Sequence, residues 1–242
     1  MLYLYPLFQF GTVSLTHYNL WVEEVRKNGY DIPYQRAGMG FGLGMGARVI
    51  YLEVGIEPSV FYTSSSAKVV DTSYGATGLY LRRHTLTNFL FALPVALSYP
   101  LTGSFNLYAG VRILMGFSSL SVYDSTHVTV LGGHVWVVDD ASMSKASMGM
   151  GMAIGGDVKV SDRLALTVRL GYDVLSFTGY EGEHEIRSSD GSATRKTAYW
   201  IFNTKNNAIY VNNDPPGKDE IYAKEDLNGV RFGLGVKFFV GR

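Results

Sequence analysis

The chain has 242 residues, of which 47% are hydrophobic, 14% aromatic and only 17% charged, with a formal net charge of zero. Abundant apolar residues without net charge exclude a disordered chain, and the missing basic excess argues against a nucleic-acid partner. The absence of cysteine excludes disulfide scaffolds, thiolate zinc sites and thiol catalysis, and no apolar run approaches the ~18 residues of a membrane helix.

The first segment, 2–14, opens on LYLYPLFQF. It lacks the basic start and small-residue cleavage site of a secretion signal, so no signal peptide is visible. A signal already removed and a chain that is not exported both fit. Within the polar stretch 16–35, NLWVEEVRKNG (19–29) has the spacing of a short amphipathic helix with Leu20, Val22 and Val25 as apolar contacts. In segment 36–47, GMGFGLGMG places glycine at every second position. A nucleotide-binding loop would need a helix start after its glycines. None follows, so the row reads as a strand that leaves space for long side chains of its neighbours.

After a short turn near Ala47–Arg48, segment 49–63 alternates strictly: Ile50, Leu52, Val54 and Ile56 share one face, Glu53 and Glu57 the other. The pattern returns in 82–99, 104–118, 146–160, 163–178 and 228–240. Period two over such lengths predicts strands with two unlike faces. Pro58 and Pro94 fall inside two of them, which predicts a bulge or local distortion there. Short turns at 100–104 and 160–163 alternate with long polar stretches at 16–35, 64–80, 119–145 and 179–227. In the last stretch, TAYWIF (197–202) and NAIYV (207–211) read as a hairpin. Loops this long are usually functional or disordered.

In the strand cores the charges keep to the face of small and polar residues: Glu53, Glu57, Arg112, Asp157, Lys159, Arg169, Asp173, Arg231 and Lys237. The opposite face is apolar, with Tyr62, Tyr99, Phe105, Phe117 and Tyr172 as candidate aromatic girdles. A soluble barrel has the reverse polarity. The expected fold is therefore all-β: a single domain forming a closed, antiparallel, eight-stranded transmembrane β-barrel with long extracellular loops and both termini periplasmic. Such a lumen is filled by side chains, so the nine charges should pair as a network and leave no open pore.

Two stretches, FALPVALSYPLTGSFNLYAGVRILMGF (91–117) and GMAIGGDVKVSDRLALTVRLGYDVLSF (151–177), carry a strand, a short turn and a Tyr- or Gly-rich return strand. Here the sequence resembles the small outer-membrane β-barrels of the OmpA/OmpX type. RFGLGVKF (231–238) resembles the C-terminal strand read by barrel-assembly machinery, although this chain runs on through Val240, Gly241 and Arg242. The resemblance implies residence in the outer membrane of Gram-negative bacteria, lipid and assembly-machinery partners, and a porin-like fold without a catalytic signature.

No cofactor or metal site is expected. The five histidines show no metal-ligand spacing, and EGEHE (181–185) reads as a solvated charge run. The expected role is a non-enzymatic structural or surface-interaction protein that captures an unidentified extracellular ligand or protein. Tyr199, Trp200, Ile201, Ile209 and Tyr210 are the candidate surface-binding residues, as an exposed aromatic patch would mark an interaction site. An outer-membrane lipid-modifying hydrolase, with His84 the nearest candidate base, and a soluble lipocalin-like ligand-binding barrel are the alternatives.

Overall fold

Alternation produces the expected strands, and their pairings close on themselves. The computed structural model describes residues 1–27, 32–71, 77–130 and 133–240. Eight strands form the ring: β1 (Leu2–Thr12), β2 (Ala37–Val49), β3 (Leu52–Asp71), β4 (Thr77–Pro100), β5 (Phe105–Val130), β6 (Gly133–Ser161), β7 (Leu164–Val174) and β14 (Gly229–Val240). Each pairs antiparallel with its neighbour in that order, and β14 pairs with both β7 and β1. One helix, α1 (Thr16–Lys27), follows β1. Between β7 and β14 lie β8 (Ser176–Thr178), β9 (Glu181–Ser188), β10 (Ala193–Asn203), β11 (Ala208–Asn212), β12 (Glu220–Tyr222) and β13 (Lys224–Asp226).

An apolar band girds the ring. On β5 the outward residues run Leu107, Val111, Ile113, Phe117; on β2 they run Met39, Phe41, Leu43, Met45, and all are exposed. The band spans 9–11 residues on each strand, from Leu52 to Tyr62 on β3 and from Val158 to Met148 on β6. That length, tilted, covers a hydrocarbon layer of roughly 25 Å. Tyr62, Tyr99, Phe117 and Tyr172 are outward and exposed within it.

Beyond the band the polarity reverses without any change of register. On β5, Ser119 and Ser121 now face outward, while Leu120 and Val122 are buried inside. On β3 and β4, Ser64 and Thr87 follow the same rule, with Leu86 inside. Hence 64–71, 77–80, 119–130 and 133–145 are strand rather than the expected loops. Residues 72–76 and 131–132, parts of those stretches, lie outside the described residues. The β6 strand pairs with β7 in the band and with β9 above it, through Val137–Ser144. From β9 the wall continues to β10, which pairs with β11 and β12.

Two expectations about turns and prolines need adjustment. The β2–β3 turn falls at Ile50–Tyr51, not Ala47–Arg48, and Ile50 adopts φ 56°. At Pro58 and Pro94 the expected distortion takes the form of a lapse in pairing rather than a bulge. Pairing lapses at Leu43–Pro58 and Gly55–Pro94 and resumes in the same register on either side. The missing N–H costs a ladder bond but not the register.

The glycine row of β2 faces inward, and aromatic rings fill its space. A Cβ on Gly44 would collide with the Tyr5 ring, and one on Gly46 with Tyr3. Gly44→Ala should therefore displace Tyr5 and cost about 1–3 kcal/mol. Urea unfolding of the refolded protein would measure this, and a neutral result would mean that the ring yields freely.

Candidate functional site

Two interiors lie one above the other: a charged one inside the apolar band and an apolar one above it. In the lower interior, Glu57 is fully buried at 0% exposure. Its carboxylate accepts from Arg112 Nη2 at 3.0 Å, Arg169 Nη2 at 2.8 Å, Tyr5 Oη at 2.8 Å and Gln9 Nε2 at 3.2 Å. Asp173 pairs with Arg112 at 3.1 Å and with Arg231 at 3.5 Å. Arg231 also donates to the Leu227 carbonyl at 2.7 Å and lies 4.3 Å above the Phe61 ring.

A second group sits nearer the short turns. Lys237 Nζ lies 3.2 Å from Glu53 and 2.8 Å from Asp157, and Arg48 Nη2 lies 3.0 Å from Asp157. Arg48 Nε donates to Glu53 at 2.6 Å. The ionic partners of Glu53 are thus Arg48 on β2 and Lys237 on β14. Lys159 does not join them. Its side chain is 40% exposed at the rim and pairs with Asp162 in the adjacent turn, because the inward row of β6 has left the enclosed lumen by that point. Sequence reading missed Arg48 by placing it in a turn.

The upper interior is a hydrophobic core. Val13, Leu15, Tyr18, Trp21, Val22, Phe61, Leu86, Leu120, Met143, Phe177, Tyr180, Trp200 and Phe202 belong to one buried cluster. Helix α1 supplies Tyr18, Trp21 and Val22, while Leu20 is 37% exposed rather than a core contact. Residues 28–29 of the expected helix segment lie outside the described residues. The expected β10–β11 hairpin forms, with Tyr199–Asn203 opposite Ala208–Asn212. It leans on β9, which separates it from β6.

Its role differs from the expectation. Trp200, Ile201 and Ile209 are 1%, 0% and 2% exposed, so they are core residues and cannot form a surface patch. Tyr199 and Tyr210 are partly exposed, and Tyr210 bonds Glu220. Trp200 and Phe202 share the face of β10 that joins the core cluster, and Ile201 is covered on the opposite face.

Polar groups are embedded in this core. His84 is 1% exposed, and its Nδ1 lies 2.7 Å from Gln35 Oε1. Its Nε2 lies 3.6 Å from the carboxylate of Glu225, which accepts from Trp200 Nε1 at 2.9 Å. Ser65 stands opposite His84 in register. Its hydroxyl accepts from Tyr18 at 2.7 Å and donates to the Pro33 carbonyl at 3.3 Å, leaving none for the imidazole. Among the described residues no His, Asp or Glu group is disposed to hold a metal ion.

His17 couples α1 to this layer. Its ring stacks 4.3 Å from Phe202, and its Nδ1 accepts the Lys224 N–H at 2.8 Å, which requires an unprotonated nitrogen. Burial lowers its pKa below the usual 6.5, against the opposing pull of Glu225 and Asp226 and with a smaller push from Lys224. The neutral ring therefore favours the docked helix above the usual value, and this contribution is lost as pH falls through the lowered one. The protection of amides 16–27, taken as observed exchange relative to the intrinsic rate at each pH, should fall between pH 7 and pH 5. In His17→Asn that fall should be reduced; an unchanged profile would assign the acid sensitivity elsewhere.

The sequence matches no family model. It also finds no match among curated proteins. Solved structures with similar coordinates are outer-membrane or surface proteins. Neisserial surface protein A is 10% identical at TM-score 0.39, over 98% of this chain and 96% of that one. OprG from Pseudomonas aeruginosa is 11% identical at TM-score 0.47, over 99% and 96%. A major outer membrane protein from Thermus thermophilus is 12% identical at TM-score 0.43, over 98% and 99%. The architecture itself rests on the strand pairings: an eight-stranded antiparallel ring with an outward apolar band is that of a small outer-membrane β-barrel.

Proposed function

We propose that this protein is a non-enzymatic barrel of the bacterial outer membrane. In this reading it conducts nothing and presents an ordered layer at the cell surface, with the long-strand end outside and both chain ends periplasmic. The observation that carries the reading is the filled interior. Paired charges occupy the band level and a continuous apolar core caps it, with α1 packed into the cap. Aqueous conduction needs an open polar path through both levels, whereas the cap is packed and its buried polar groups bond one another.

The burial of His84 favours this reading over a hydrolase. A lipid substrate would approach from the outer wall, whereas His84 points inward and the hydroxyl of Ser65, its partner in register, is already engaged. The exposed apolar band speaks against a soluble ligand-binding barrel. Outer-membrane lipids are thus the first partners, and the assembly machinery would read β14. A surface role fits exposed apolar residues on the outer wall, Val135 on β6 and Ile221 and Tyr222 on β12.

The test joins fractionation with electrophysiology. The protein should partition with the outer membrane, migrate differently on gels before and after boiling, and give no conductance steps in planar bilayers. A stable, large conductance would overturn the closed-barrel reading. Altered lipid A in cells carrying the protein would overturn the non-enzymatic one.

A further inference from the structure

The charged interior is unbalanced in one place. Near the short turns, Arg48 and Lys237 face Glu53 and Asp157, two against two. At mid-band, the three guanidinium groups of Arg112, Arg169 and Arg231 share only Glu57 and Asp173 among the described residues. All five side chains are buried. A buried charge without a countercharge is strongly disfavoured.

Geometry shows where the missing charge would sit. A cavity of about 40 Å³ lies against this cluster, where the three cations Arg112, Arg169 and Lys237 face the one carboxylate of its lining, Glu53, with Tyr5 and Ala153 also on its wall. Arg112 and Arg169 each spend their terminal nitrogens on carboxylates, and neither Nε–H meets an acceptor among the described residues. Excess positive charge, two free N–H donors and room for a small solute thus coincide.

We propose that this cavity binds one small monovalent anion of the halide class, chloride in its natural setting, held by Arg112 and Arg169 as the third countercharge. Water would satisfy the donors but leave the charge. A larger anion such as gluconate exceeds the space. The site lies within the network that keeps the lumen closed, but it depends only on the charge count and the cavity, so conduction and anion binding can fail separately.

The test compares chloride with gluconate at constant ionic strength on the refolded full-length protein. The melting temperature should rise with chloride and saturate as a single site does, without a comparable rise in gluconate. Crystals grown in bromide should show one anomalous peak beside Arg112 and Arg169. Ala153→Asp, which supplies a fixed carboxylate to the cavity wall, should abolish the chloride response, and Ala153→Asn should retain it. Equal stability in chloride and gluconate, no bromide peak, or an undiminished response in Ala153→Asp would each overturn the proposal. Should Ala153→Asp fail to fold, the bromide map of the unaltered protein decides.

Discussion

Glu57→Ala should be among the most damaging single substitutions in the lower interior, at about 3–5 kcal/mol. The side chain is wholly enclosed and ties together Arg112, Arg169, Tyr5 and Gln9. Its removal leaves three buried guanidiniums around a single carboxylate, Asp173. Glu57→Gln keeps an acceptor and should cost less. Glu53→Ala should also cost less, about 1.5–3 kcal/mol, because its partner Arg48 reaches the rim of the short-turn end and can be hydrated there. Urea unfolding in detergent micelles, followed by the loss of the fast-migrating gel form, would rank the three. Small costs for both Glu57→Ala and Glu53→Ala would show that water reaches both carboxylates, and equally large costs would show that Arg48 is not hydrated at the rim.

Trp200→Ala should act on the upper interior alone. Loss of a fully buried indole typically costs about 3–5 kcal/mol, and here it also strips Glu225 of the N–H donor 2.9 Å away. The cap should loosen while the ring stays folded, since Trp200 lies on β10, outside the eight-strand cycle. Hydrogen exchange should show α1, β8 and β13 losing protection, with the band strands unchanged. Collapse of both levels together would mean that cap and ring fold as one unit. Deleting 195–214 would remove Phe202 and Ile209 as well and open the core, so it would not isolate a surface function.

The ring was readable in the sequence because both faces of each band strand are consistent for 9–11 residues. Leu107, Val111 and Ile113 against Arg112 leave no other period, and the glycine row of β2 announced the space that Tyr3 and Tyr5 occupy. The tall part of the wall was not readable. Where Phe117 gives way to Ser119 and Ser121, the apolar residues move to the other face, and a reader following one face sees the strand end. The cap was hidden for a related reason: Trp200 and Phe202 look like exposed apolar residues of a loop until the wall that encloses them is known. Of the charge network, residue identities were legible and partner choice was not: Lys237 reaches Glu53 from the last strand, and Arg48, its partner across the β2–β3 hairpin, is hidden once the turn is placed at Ala47–Arg48.

The seam between β14, β1 and β7 sets the order of assembly. Neighbours from β3 to β6 are joined by hairpins and can zip as the chain emerges, each with a short search. The last strand must instead find the first, pairing Leu4 with Phe238 and Phe10 with Phe232. Contacts so remote in sequence are the slow ones, since loop entropy is lost before they reward it. Until that step β1 and β7 each carry an unsatisfied edge, and inside a lipid layer neither can borrow water. Closure is therefore the committed event, and a chain stopped before Gly229 would have two sticky borders and no barrel.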